Sequence, residues 1–145
     1  MKIGIANDHR GYNLKNELVK YLKSRGYEVI DYGSDTVYSV DYPDFAFKVG
    51  EKVSSKEADF GILICKSGIG MSIAANKVKG VRCALLDNVK NATLSHMHNN
   101  ANVIALGSND VSIRKAYQII KAYDDATFET RHQKRIDKIT QYENK

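Results

Sequence analysis

The chain has 145 residues, 43% of them hydrophobic and 27% charged, with one proline and no tryptophan. This is the size and balance of one globular domain, residues 1–145, and it excludes a disordered or linker-rich protein. The formal net charge of +5 is scattered, with no run of five basic residues and with Asp124, Asp125 and Glu129 interspersed, so it argues against nucleic acid and suits a small anionic substrate.

In chain order, short β-branched runs alternate with helix-period stretches. Strands are expected at Lys2–Ala6, Glu28–Asp31, Phe60–Cys65, Val81–Leu85 and Asn102–Leu106. Between the first two, Tyr12–Ser24 places Leu14, Leu18, Tyr21 and Leu22 on one helical face, and Gly26 ends it. Pro43 suits a first helical turn leading Phe45, Ala46 and Val49. Phe60–Cys65 is apolar on both faces, the mark of a central parallel strand covered on both sides. Further helices are expected at Ile69–Lys77, Val89–His98 and Val111–Tyr123, and a basic C-terminal helix at Arg131–Tyr142 with Ile136 and Ile139 inward.

This alternation predicts a single-domain, three-layer α/β fold: a doubly wound, Rossmann-like sheet of about five parallel strands with right-handed crossovers. No apolar run approaches the roughly 20 residues that span a bilayer. The Asn7-Asp8 pair also arrives too early for a secretory leader, so a cytoplasmic protein without membrane partners is expected. In that compartment Cys65 and Cys83 are expected to be free thiols.

Ligands of doubly wound sheets sit beyond the carboxyl ends of the strands. That rule nominates Asn7–Gly11, Lys66–Gly70 and Gly107–Asp110. Cys65 stands where a buried strand turns into Lys66-Ser67-Gly68-Ile69-Gly70 and then a helix. Backbone N–H groups at such a turn favour an anion, including a thiolate. Cys83, inside a strand, is expected to be a small buried apolar residue.

Three other chemistries fail on spacing. A phosphatase loop needs an arginine where Met71 stands, a dinucleotide fingerprint needs a glycine where Ile73 stands, and no P-loop is present. His96 and His98 suggest zinc only weakly, because they diverge by about 200° on a helix and show no further ligands nearby. Asp8 and His9 close the first strand, where capping and ligand contact are both open. Arg131 and Arg135 form an i, i+4 pair, a solvated face unless they clamp a phosphate.

Taken together these segments resemble the ribose/galactose isomerase family, and within it the type B ribose-5-phosphate isomerases. The resemblance is carried by Met1–Gly11, Val40-Asp41-Tyr42-Pro43, Gly61–Cys65, Gly68–Lys77, His98–Val103 and Arg131–Arg135. It implies interconversion of ribose 5-phosphate and ribulose 5-phosphate through an enediolate. Cys65 would move the proton, Ser67 would stand beside the sugar oxygens, and backbone from Lys66 through Gly68 and Ile69 to Gly70 would hold the enediolate. His98 would open the sugar ring. Asp8, His9 and Asn99 would contact the sugar, and Arg131 and Arg135 the phosphate. No metal or organic cofactor is implied, and the site would lie between chains of a homodimer or tetramer. His98, which some galactose-6-phosphate isomerase chains lack, favours the ribose enzyme. A hexose 6-phosphate (allose or galactose) and a non-catalytic sugar-phosphate sensor stand as alternatives.

Two positions depart from the family pattern. Lys66 replaces a usual glycine, which matters if that position needs a positive φ. Asn109 stands where arginine often faces the phosphate, and Lys66 is the candidate to replace that charge.

Overall fold

The computed structural model describes all 145 residues. Five parallel strands form one sheet: β1 (Lys2–Asn7), β2 (Glu28–Asp31), β3 (Phe60–Cys65), β4 (Cys83–Leu85) and β5 (Val103–Gly107). Their order is β2-β1-β3-β5-β4, so β3 is central and β2 and β4 are edges. Six helices connect or follow them: α1 (Tyr12–Ser24), α2 (Tyr42–Ser54), α3 (Ile69–Ala75), α4 (Val89–Met97), α5 (Ile113–Asp125) and α6 (Gln133–Glu143). None is long and apolar enough to cross a membrane.

Every residue of β3 is buried, as its unbroken apolar run requires. Its alternation sorts two unequal layers. Phe60, Ile62 and Ile64 join Leu18 and Leu22 of α1 and Ile119 and Ile120 of α5 in the larger core. Leu63 and Cys65 face the other way, toward Val49 of α2 and Met71 of α3, among alanines at 6, 46, 74, 75 and 105. Small residues on that face let α2 lie close: a Cβ on Gly61 would come within 2.7 Å of Val49.

The elements differ from the sequence reading mainly at their ends. β4 starts at Cys83 instead of Val81, because Val81 and Arg82 lie in the approach to the sheet, where the Arg82 N–H donates to the Asn102 side chain at 2.8 Å. α3 stops at Ala75, and Asn76 folds back to pair with the Cys83 backbone. α5 starts at Ile113 because the Ser112 hydroxyl caps it, accepting from Lys115 N–H. α6 starts at Gln133, so Arg131 is not on that helix; it lies in a short 3-10 turn, Thr130–His132, ahead of it.

One buried charge had no sequence signal. Lys15 of α1 is almost wholly enclosed and donates to Asp31 at 2.8 Å and to the Ser34 carbonyl at 3.2 Å. It ties α1 to the loop after β2. Burying a lysine is tolerable only with such partners.

Candidate active site

The β1 and β3 ends flank the point where the chain, having built β2 on one side of β1, returns to build β3 on the other. That switch point is where open α/β sheets leave a crevice. At β3 the chain ends on Cys65, which is 5% exposed. Its Sγ accepts the Gly68 N–H at 3.2 Å. Gly68 has φ +77°, and a Cβ there would lie 2.6 Å from Leu85 and 3.0 Å from backbone of Leu106. Glycine is therefore required by both conformation and space.

The concern about Lys66 is resolved by the same turn. The only non-glycine residues with positive φ are Lys56 and Asn100, so Lys66 bears no left-handed strain. Its side chain is exposed, while its carbonyl accepts from Asn109 N–H at 3.1 Å. The Cys65 carbonyl accepts from Ser108 N–H at 2.8 Å. The turn after β3 is thus bolted to the turn after β5, and Gly107 packs against Ser67 backbone. The Ser67 hydroxyl accepts from Ile69 N–H at 3.2 Å. Beyond it the first-turn N–H groups of α3 have no intrahelical acceptor. Gly70 packs under the Tyr42 ring, where a Cβ would lie 2.6 Å from it. Tyr42 thereby joins the site, although it entered the sequence reading only as part of a motif.

On the β1 side, Asp8 is 6% exposed and caps the 3-10 turn that follows it. Its Oδ1 accepts from Arg10 N–H at 2.9 Å and Gly11 N–H at 3.2 Å, which leaves Oδ2 available to a ligand hydroxyl. Gly11 sits against the Ile64 carbonyl with no room for a Cβ, bringing this turn beside Cys65. His9 Nδ1 accepts from Val40 N–H at 3.3 Å.

The remaining candidates gather elsewhere. α4 runs back from the carboxyl end of β4, so His98 emerges just before the amino end of β5. One five-residue strand, about 16 Å of rise, separates that end from the Cys65 end. Within one chain His98 therefore does not join Cys65. It joins His132, whose ring lies 4.6 Å away between centroids, and Glu129, whose carboxylate is 3.6 Å from His98 Nε2. The Glu129 N–H donates to the Met97 carbonyl at 2.9 Å, which fixes this meeting. Glu129 also accepts from Arg131 at 2.9 Å, and Arg131 holds its carboxyl below the usual range. Arg135 lies 3.4 Å from His132 Nδ1. His96 turns away, stacked on Tyr123 with Nδ1 against the Tyr123 carbonyl at 2.6 Å.

A cavity of about 720 Å³ opens beside this second group, lined by Arg82, Cys83, His98, Asn99, His132 and Arg135 among others. It is of small-ligand size and rimmed by cations. Cys83, expected to be a buried apolar residue, is half-buried on this wall. Burial nevertheless pushes its thiol up to about 12, against the opposing pull of a Ser72 hydrogen bond. Glu129 and His132 were missed as site residues; neither sits at a motif spacing from His98, and α5 intervenes in the sequence.

Comparison with known proteins adds kinship to this geometry. The sequence profile of the family described as Ribose/Galactose Isomerase matches residues 3–139. Ribose-5-phosphate isomerase B of Escherichia coli is 43% identical over 145 residues, covering 99% of this chain and 97% of its own. Among solved structures, the ribose-5-phosphate isomerase B of Clostridium thermocellum is 51% identical with a TM-score of 0.97, covering 99% of this chain and 98% of that one. That of Mycoplasma genitalium, solved with bound ribulose-5-phosphate, is 44% identical with a TM-score of 0.95, covering 99% of this chain and 97% of that one.

Proposed function

The chain belongs to the ribose/galactose isomerase family, and on that premise we propose that it interconverts ribose 5-phosphate and ribulose 5-phosphate. The observation that carries the reading is Cys65 Sγ at the end of the central strand, held by the Gly68 N–H over a turn in which only glycine fits. A base must be fixed near its proton, and this sulfur is fixed by backbone.

The steps follow from the groups at hand. His98 donates a proton to the ring oxygen of the furanose as the anomeric hydroxyl loses one, giving the open-chain aldehyde. The Cys65 thiolate then takes the proton from C2, and the electron pair moves to the carbonyl oxygen. The Gly68 and Ile69 N–H groups are taken by Cys65 and Ser67, which leaves those of Ser67 and Gly70 in the same turn for the resulting enediolate oxygen. The proton on O2 passes to O1, relayed by the Ser67 hydroxyl, and return of the proton from Cys65 to C1 gives the ketose. Ser67, Asp8 Oδ2, His9 and Asn99 hold hydroxyls, and Arg131 and Arg135 hold the phosphate. Lys66 and Asn109, both exposed at the rim, offer further contacts. No cofactor enters this sequence.

The two halves of this machinery lie at opposite ends of one sheet, so the reading requires a second copy of the chain. The cavity wall of one copy would face the Cys65 turn of the other, in a homodimer or a tetramer of such pairs. Two free cysteines suit a reducing, cytoplasmic setting.

The test is a direct assay of ketose formation from ribose 5-phosphate, allose 6-phosphate and galactose 6-phosphate with EDTA present. Fastest turnover of ribose 5-phosphate is expected. A faster hexose phosphate would reassign the substrate. Tight binding with no turnover of any sugar would make the protein a sensor, and loss of activity on adding EDTA would overturn the metal-free chemistry.

A further inference from the structure

The amino-end cluster has a second chemical capacity. His98, Glu129 and His132 each offer one ligand atom, and these atoms all lie within 4.8 Å of one another. Glu129 divides its oxygens: Oε2 accepts from Arg131, while Oε1 faces His98 Nε2 at 3.6 Å. Tetrahedral zinc with ligands at about 2.0–2.1 Å separates neighbouring ligand atoms by about 3.4 Å. The His98–Glu129 pair already stands near that spacing. A second observation points the same way. His132 Nε2 is enclosed and has no hydrogen-bond partner, which is uncommon for a buried ring nitrogen. The opposite nitrogen of that ring meets only the exposed Arg135, at 3.4 Å.

We propose that His98, Glu129 and His132 form a binding site for zinc or a similar borderline divalent cation, which holds the enzyme inactive by occupying His98. Two imidazoles and one carboxylate select such a cation over magnesium or calcium, which prefer oxygen cages. The fourth position falls to water from the adjoining cavity. The arginines set the strength. Arg131 competes for the same carboxylate, and Arg135 must swing from His132 as its ring proton moves to Nδ1. Binding is therefore weaker than at a structural zinc site, and readily reversed by chelation. The inhibition, though not the binding, rests on the role assigned to His98 above.

The site is tested by calorimetry with zinc chloride alone on the full-length protein and on Glu129→Gln, His132→Gln, Cys65→Ala and Cys83→Ser. One cation per chain is expected, with affinity falling at least ~10-fold in the Glu129 and His132 variants and holding in both cysteine variants. Histidine ring resonances provide a readout independent of variant folding: His98 and His132 should move on titration while His9 and His96 stay. No saturable binding at millimolar zinc, loss of binding in Cys65→Ala, or movement of His9 or His96 instead would overturn the site. Inhibition by zinc that EDTA reverses supports the coupling. Zinc bound at this site with turnover unchanged would confirm the site and overturn the ring-opening role of His98.

Discussion

The two ends of the sheet are built from different materials. At the carboxyl end, position comes from backbone: glycines that admit no Cβ, N–H groups aimed at Cys65 and Ser67, and one turn bonded to the next. At the amino end, position comes from long side chains, His98, Glu129, Arg131, His132 and Arg135, leaning on one another around an open cavity. Proton transfer from carbon demands a fixed base, whereas gripping a phosphate and opening a ring tolerate mobile groups. The division suits a reaction whose halves come from two copies of one chain.

The largest effects are expected from disabling one end of the sheet at a time. Cys65→Ala and His98→Asn should each lower turnover by about 10²–10⁴-fold, the usual worth of an acid–base group. Mixing the two inactive variants under conditions that exchange subunits should restore about a quarter of the native activity, because half the dimers then carry one intact site. Failure to recover any activity, with exchange verified by mass, would place both residues in one chain's site.

Next in size is Gly68→Ala. The residue has φ +77°, and its new methyl meets Leu85, Leu106 and Gly107. A loss of about 2–4 kcal/mol is expected, read by denaturant unfolding, together with loss of turnover. A stable, active variant would show that the backbone end is softer than described. At the side-chain end Arg135→Gln should raise KM by about 10–100-fold, the worth of charge-assisted bonds to phosphate, with little change in kcat. A large fall in kcat with KM unchanged would show that it stabilises the transition state instead.

The smallest effect concerns the second thiol. Burial raises the Cys83 group to about 12, so it remains a neutral thiol at pH 8. Its alkylation rate should climb about tenfold per pH unit across pH 8–10 without levelling, because thiolate is the reactive form. A plateau within that range, seen by peptide mass mapping, would mean that the cavity wall is wetter than its packing suggests.

What could be read from the sequence follows the same division. The β3 run, the glycine turn after it and the Asp8 turn are local patterns, and local patterns survive folding. Strand order and the depth of Lys15 are tertiary facts with no spacing to betray them. Arg131 and Arg135 looked like one helical face, but the helix begins between them, at Gln133. Glu129 and His132 meet His98 only because α5 returns beside α4 and hands the chain to the Met97 carbonyl. A motif search reads contiguous stretches, and this meeting is made by packing.

The glycine turn after β3 has a consequence for anyone wishing to redesign the protein. Gly70 under Tyr42 and Gly68 against Leu85 and Leu106 leave no slack in the turn beside Cys65, the proposed base, so this centre cannot be enlarged from below. On the proposed site, admitting a longer sugar is a task for Lys66, Asn99 and Asn109, which are exposed and replaceable one at a time. The scaffold thus confines substrate range to a few surface positions and withholds the chemistry itself from gradual change.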